Sequence, residues 1–206
     1  MIDFNLILSI SLIHLAAVMS PGPDFIMVVK NSLTYSRKTG VYTAIGIGCG
    51  IIIHVLYTFF GIGLLIKETP SLFNFIKYIG AAYIIYIGVM SFLAKSSQKK
   101  VIVAGQDHYI SPFKAFRIGF ITNALNVKAS MFFLGLFTTM ISPETSPKTL
   151  YILGFLVVFQ TMLWFVLVAY FFTQPLVQKK FYEYESFINK VFGVLLILLA
   201  LKILFF

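Results

Sequence analysis

Two short segments hold the residues best placed to do chemistry. The first is Met19-Ser20-Pro21-Gly22-Pro23-Asp24, where two prolines, a glycine and a carboxylate interrupt an otherwise apolar stretch. The second is Asn123-Ala124-Leu125-Asn126-Val127-Lys128, two carboxamides and a lysine in a second apolar stretch. Pro21 and Pro23 each remove a backbone donor, Gly22 adds freedom, and a residue before proline is pushed off the helical region. A helix cannot pass through Pro-Gly-Pro undisturbed. Yet Phe25-Ile26-Met27-Val28-Val29 continues the apolar run, so the segment reads as two half-helices. The plainer reading is a helix that stops at Ser20, with a turn after it. In the second segment a lysine at membrane depth costs about 2.5–3.5 kcal/mol on the insertion scale, and such residues usually face the bundle interior and mark a pathway. The plainer reading is a Lys128 that snorkels to an interface. Freed backbone groups at membrane depth must be satisfied by protein, water or cargo.

The elements that position these segments follow from composition. Of 206 residues, 59% are hydrophobic and 11% charged, against about 25% charged in an ordinary soluble domain. Mean hydropathy is +0.94. A water-soluble fold of this size could not hide that much apolar surface, so a soluble enzyme, a disordered chain and a secreted scaffold are excluded. Apolar runs fall at roughly 4–29, 40–66, 72–94, 113–141, 149–173 and 187–206, and a transmembrane helix needs about 20 apolar residues. The fold expected is therefore an all-α integral membrane protein with six transmembrane helices, the first and fourth interrupted. The segments between the runs, including QPLVQKKFYEYES near the end, read as loops. Residues 95–112, the longest and most polar break, read as a linker between two halves, 1–94 and 113–206, within one transporter domain.

The net charge of +9 lies between apolar runs, with no basic stripe interleaved with aromatics, and reads as orienting charge rather than a nucleic-acid surface. The first, third and fifth loops and their flanks hold eleven Lys and Arg, among them Lys30, Arg37, Lys99, Lys100 and Lys179. The second and fourth loops and the tail hold four: Lys67, Lys77, Lys148 and Lys202. That bias places the odd loops in the cytoplasm and both termini outside. Three spans per half make the halves inverted relative to each other, an architecture common among transporters. The first ten residues lack the basic n-region of a cleavable signal and read as part of a retained first helix. Cys49 is the only cysteine, so neither an internal disulfide nor a thiol-redox pair is available.

Met-Ser-Pro-Gly-Pro-Asp at the end of the first run, the Gly-rich second run and Asn-x-Lys in the fourth together resemble the LysE/RhtB family of amino-acid exporters, over essentially the whole chain. Where that family usually has Asn-Pro-Lys, this chain has Asn126-Val127-Lys128, which leaves open how sharply the fourth helix breaks. The resemblance implies efflux of amino acids across the bacterial cytoplasmic (inner) membrane, driven by the proton-motive force; no cofactor is expected, and no His, Cys, Asp or Glu cluster has metal-ligand spacing. A zwitterionic amino acid carries an ammonium and a carboxylate, and broken helices offer partners for both: half-helix N-termini for the carboxylate, C-terminal carbonyls for the ammonium. The candidate substrate-binding or coupling residues are Pro21, Gly22, Pro23, Asp24, Asn123, Asn126 and Lys128. Asp24 and Lys128 either pair structurally in the empty carrier or exchange partners with substrate and proton. The partners expected are a small amino acid, protons, the lipid bilayer and, as an open possibility, further copies of the chain.

Other polar residues in the runs are weaker candidates. His14 and His54 read as hydrogen-bonded packing residues ahead of proton relays. Gln160, Thr161 and Trp164 read as cross-helix contacts ahead of cavity lining. Gly46 and Gly50 form a small-xxx-small face for close helix contact rather than a phosphate cradle. A cation efflux transporter on a related scaffold is the alternative, but it would need carboxylates or soft ligands in the membrane, and only Asp24 is there. An intramembrane enzyme would need a nucleophile with its base or a metal-binding set, and neither is visible. A passive channel is disfavoured by the two interruptions, and no ATP-binding motif is present.

Overall fold

The computed structural model describes residues 2–61, 70–94, 110–142 and 144–205, and all regular structure among them is helical. In chain order the helices are α1 (Phe4–Met19), α2 (Pro23–Thr34), α3 (Arg37–Leu56), α4 (Pro70–Leu93), α5 (Pro112–Ala124), α6 (Val127–Met140), α7 (Pro147–Phe171) and α8 (Pro175–Phe205). A single wide turn of π type, Tyr57–Gly61, extends α3. Prolines open α2, α4, α5, α7 and α8, where a missing N–H leaves no intrahelical bond unmade. Ser36, Ser111 and Ser146 accept hydrogen bonds from the backbone N–H groups of Thr39, Lys114 and Thr149 at the starts of α3, α5 and α7.

The two interruptions separate α1 from α2 and α5 from α6. The first pair is bent by 53° and the second by 51°. Ser20 is extended, with φ −69° and ψ 129°, as a residue before proline should be. At the second break no proline is present. Asn126 makes the break instead, its Oδ1 accepting from Lys128 N at 3.0 Å and Ala129 N at 3.4 Å, an N-cap that starts a new helix.

The interior holds polar side chains among its apolar ones, and the outside is apolar. His14, Asn31, Thr43, His54, Asn123, Thr161 and Gln178 are buried, while Phe4, Phe60, Phe113, Tyr151, Phe155 and Phe187 each expose more than half their surface. That inversion is what a lipid-facing bundle presents. Helices α3 and α7 are each long and apolar enough to cross a membrane, and the bent pairs α1–α2 and α5–α6 pass the same test jointly. The described residues thus supply two candidate spans, or four when each bent pair is one span.

Helix α3 packs against α5 and α7, α4 against α8 and α6, and α1 against α7. The closest approach is between α3 and α5. A methyl at Gly46 would run into the Phe116 carbonyl, and one at Gly119 into that of Thr43, so only glycine permits this spacing. One apolar core joins Ile10, Ile51, Ile84, Phe133, Leu136 and Leu196. A second gathers Phe25, Val28, Leu33, Ile47 and Phe165 around α2.

Two expectations need correction or fall outside view. The segment QPLVQKKFYEYES is helical, not a loop: α8 runs unbroken from Pro175. Gln178, Glu185, Asn189, Phe192, Leu196 and Ala200 are buried along it, one face of a 3.6-residue period. The charges that suggested a loop, Lys179, Lys180 and Glu183, lie exposed on the other side. Most of the expected 95–112 linker, residues 95–109, lies outside the described residues.

Candidate functional site

The helix breaks carry the site because a broken helix leaves backbone and side-chain polar groups in an interior that has no bulk water. Asp24 sits in the first turn of α2. Its Oδ2 accepts two hydrogen bonds from the second break, from Asn123 Nδ2 at 2.9 Å and Asn126 Nδ2 at 3.0 Å. Lys128 reaches the other way. Its Nζ donates to Ser20 Oγ at 3.0 Å, and to the carbonyls of Pro21 at 3.4 Å and Ser20 at 3.5 Å. Each break therefore supplies the partners of the other's charged residue.

The alternative in which Asp24 and Lys128 simply pair with each other is not what these atoms do. Lys128 Nζ is aimed at the carbonyl end of α1, a favourable place for a cation, and lies 5.2 Å from the centre of the Phe192 ring. Asp24 belongs to the carboxamides. Lys128 does not snorkel outward, because its ammonium is held at the Ser20–Pro21 break.

The breaks open on one cavity. Its wall includes Ser20, Gly22, Pro23, Asp24, Asn123, Asn126 and Lys128, that is, the expected site residues apart from Pro21, which contributes its carbonyl to Lys128. The space is about 60 Å³, in a measure where one water takes about 10–15 Å³, so it holds about five waters, less than the bulk of most amino acids. Two buried acceptors of wall residues, Asp24 Oδ1 and Asn123 Oδ1, have no hydrogen-bond partner. Buried polar atoms are usually paired, so the unpaired Asp24 Oδ1 marks a place for a donor, while Asn123 Oδ1 lies on the α3 side, against Gly50. The start of α2 lacks a side-chain cap, since Gly22 precedes it; Pro23 has no N–H, and the Asp24 and Phe25 amides are the ones left uncapped for an anion.

His54 is the hydrogen-bonded packing residue expected of it, stacked on Phe133, and its bonds reach the second break. Its Nε2–H donates to the Asn123 carbonyl at 2.9 Å, and since a carbonyl only accepts, that nitrogen carries the proton. Its Nδ1 lies 3.0 Å from Tyr57 Oη, which donates to the Ser130 carbonyl at 3.1 Å. The pair ties α3 and its π turn to both half-helices of the second break. The signal was present in the His-x-x-Tyr spacing, which puts both rings on one helix face. His14 lines the cavity with its nitrogens facing Gln160 Oε1 at 3.2 Å and Thr161 Oγ1 at 3.4 Å.

A match with known proteins completes the description. The LysE type translocator family matches residues 15–205. The chain belongs to that family. As a LysE type translocator it is a multi-span membrane transporter. It is 29% identical over 194 residues to "Uncharacterized membrane protein YrhP" of Bacillus subtilis, covering 90% of this chain and 91% of that one. It is 27% identical over 193 residues to the threonine efflux protein of Escherichia coli K12, covering 92% and 93%. To the leucine efflux protein of Salmonella choleraesuis it is 34% identical over 133 residues, 64% of this translocator and 61% of that protein. No solved structure matches this translocator.

Proposed function

We propose that this translocator exports amino acids across the bacterial cytoplasmic membrane by secondary active transport, with the cavity between the two helix breaks as its substrate site. The observation that carries the reading is the juxtaposition of Asp24, Asn123, Asn126 and Lys128 around one buried space that retains an unpaired carboxylate oxygen, Asp24 Oδ1. The relatives named for threonine and leucine efflux support the class of cargo.

In this reading the substrate ammonium takes Asp24 Oδ1, and its carboxylate takes the Asp24 and Phe25 amides at the start of α2 with Lys128 Nζ. Because the cavity is smaller than most amino acids, binding and relative movement of the half-helices go together. Proton coupling runs through Asp24, the acid at the centre of the network. The two bent pairs, α3, α4, α7 and α8 then make six spans, as two inverted three-helix repeats, 1–94 and 113–206, with both termini outside and 95–112 in the cytoplasm. The mutual packing of α3 with α7 and of α4 with α8 supports such a pairing of halves. A lysine on the cavity wall argues against a bare cation as cargo.

The test is uptake of a panel of labelled amino acids into everted vesicles carrying the protein, with and without an uncoupler. Uncoupler-sensitive accumulation of at least one is expected. No accumulation of any would refute the reading.

A further inference from the structure

We infer that Phe25, Phe172 and Phe181 form a gate between the cavity and the end of the bundle that carries Lys30, Arg37 and Lys179, the cytoplasmic end in the orientation proposed above; this rests on the transport site proposed above.

Three helices lead from the cavity to that end. On α7, Thr161 and Phe165 line the cavity. Phe172 follows Phe165 by two turns on the same face, about 10 Å nearer the end at 1.5 Å per residue. On α2, Phe25 itself lines the cavity, and the helix runs on from it past the exposed Lys30. On α8, the cavity residues Phe192 and Leu196 lie about three turns or more beyond Phe181, which follows the exposed Lys179 and Lys180 near the helix start.

At that end the three rings meet. Phe25 stacks on Phe181 with centroids 4.9 Å apart and meets Phe172 edge-on at 5.0 Å, and Phe172 meets Phe181 edge-on at 4.8 Å. Phe25 and Phe172 are buried. Phe25 therefore touches both the cavity and the two rings that cover it from the loop side.

The cluster is built in two parts. Gln178 Nε2 donates to the Phe172 carbonyl at 2.6 Å, so Phe172 and Phe181 belong to one α7–α8 corner. Phe25 belongs to α2, which Asn31 Nδ2 ties to Thr43 Oγ1 of α3 at 2.9 Å. At the surface a side-chain bond crosses the same seam, from Arg37 Nε to Thr173 Oγ1 at 2.6 Å. Ring pairs and an exposed hydrogen bond are individually weak and readily remade. By contrast α4 meets α8 backbone to backbone, where a methyl at Gly193 would strike the Gly88 carbonyl. The seam between α2 and the α7–α8 corner is thus the one built from side-chain tips, and parting it exposes Asp24, the neighbour of Phe25, to the loop side.

The experiment uses the purified full chain in proteoliposomes, with Cys49 replaced by Ala. Arg37→Cys with Thr173→Cys is linked by a short bifunctional thiosulfonate reagent, and counterflow is measured with a panel of labelled amino acids. Linking should slow counterflow about tenfold or more, and a reductant should restore it. In a second arm, Ala17→Cys reports on the cavity wall. Adding Phe181→Ala should make that cysteine react about fivefold faster with an impermeant thiol reagent applied to everted vesicles, with no change when the reagent is applied to intact cells. Phe181→Leu, which keeps the apolar bulk, should fall between. A linked protein that exchanges amino acids at the unlinked rate overturns the gate. So does a Phe181→Ala protein whose reactivity is unchanged, or raised equally from both faces, since the rings are then packing alone. If the unlinked protein exchanges no amino acid of the panel, it is the transport reading itself that fails.

Discussion

Asn126 makes three polar contacts at the second break, and substitutions there separate its two jobs. Its Oδ1 caps α6 through the Lys128 and Ala129 amides, and its Nδ2 donates to Asp24 Oδ2 at 3.0 Å. Losing an N-cap costs about 1 kcal/mol, and losing a hydrogen bond to a charged group about 1.5–3 kcal/mol. Asn126→Ala removes both, so the folded state should lose about 2.5–4 kcal/mol. Asn126→Ser keeps a hydroxyl that caps nearly as well as a carboxamide but is too short to reach Asp24. Its folded state should therefore lose only the bond to Asp24, about 1.5–3 kcal/mol, roughly 1 kcal/mol less than Asn126→Ala loses. Its transport should still fall, because a bond of 1.5–3 kcal/mol corresponds to roughly ten- to a hundredfold at 1.4 kcal/mol per decade. Asn126→Asp keeps the cap acceptor and sets a second carboxylate beside Asp24, so it should fold and fail to transport. Thermal unfolding in detergent and uptake into everted vesicles, measured on the same preparations, give the two readouts. An Asn126→Ser protein that transports at the native rate would refute the role given to the Asp24 network. An Asn126→Ala protein as stable as the native one would show that the cap does not hold the break.

Other predictions follow from single contacts. Gly46→Ala should separate α3 from α5, because the added methyl meets the Phe116 carbonyl; the protein should lose several degrees of thermal stability in detergent, and a native melting curve would contradict the packing. His54→Phe keeps the ring against Phe133, where the native rings stack at 5.6 Å, but removes the donor to the Asn123 carbonyl; membrane insertion should survive while transport drops about tenfold, and unchanged transport would remove His54 from the site. A cysteine at position 99, with Cys49 replaced, should react with an impermeant reagent only from the cytoplasmic face; labelling of intact cells from outside would reverse the proposed orientation.

Much of the architecture was legible before any coordinates. Pro21-Gly22-Pro23 announces a break by removing donors, and Asn126 with Lys128 announces another by placing polar groups where they are expensive. The replacement of proline by Val127 left the second break undetermined, since a carboxamide that caps backbone amides shows no local signature apart from its own presence. Between Pro175 and Ser186 the run of charges reads as a loop, yet it belongs to a continuous helix whose outer face carries Lys179, Lys180 and Glu183 while Glu185 lies buried. The partners of Asp24 and Lys128 could not be read at all. They depend on how two breaks about a hundred residues apart are laid against each other, and opposite charge alone favours the simpler pairing. The cavity wall from α4, α6 and α8 was hidden for a similar reason: Ile84, Phe133 and Leu196 look like any other apolar residue until the helices that carry them converge.

The central claim is that the two breaks form one coupled transport site with Asp24 at its centre. Its most direct test is accumulation of a labelled amino acid against its gradient in proteoliposomes with an imposed pH difference, comparing the native protein with Asp24→Asn. The account predicts gradient-driven accumulation by the native protein and none by the variant, with both inserted in equal amount. Accumulation by Asp24→Asn at the native level would contradict it.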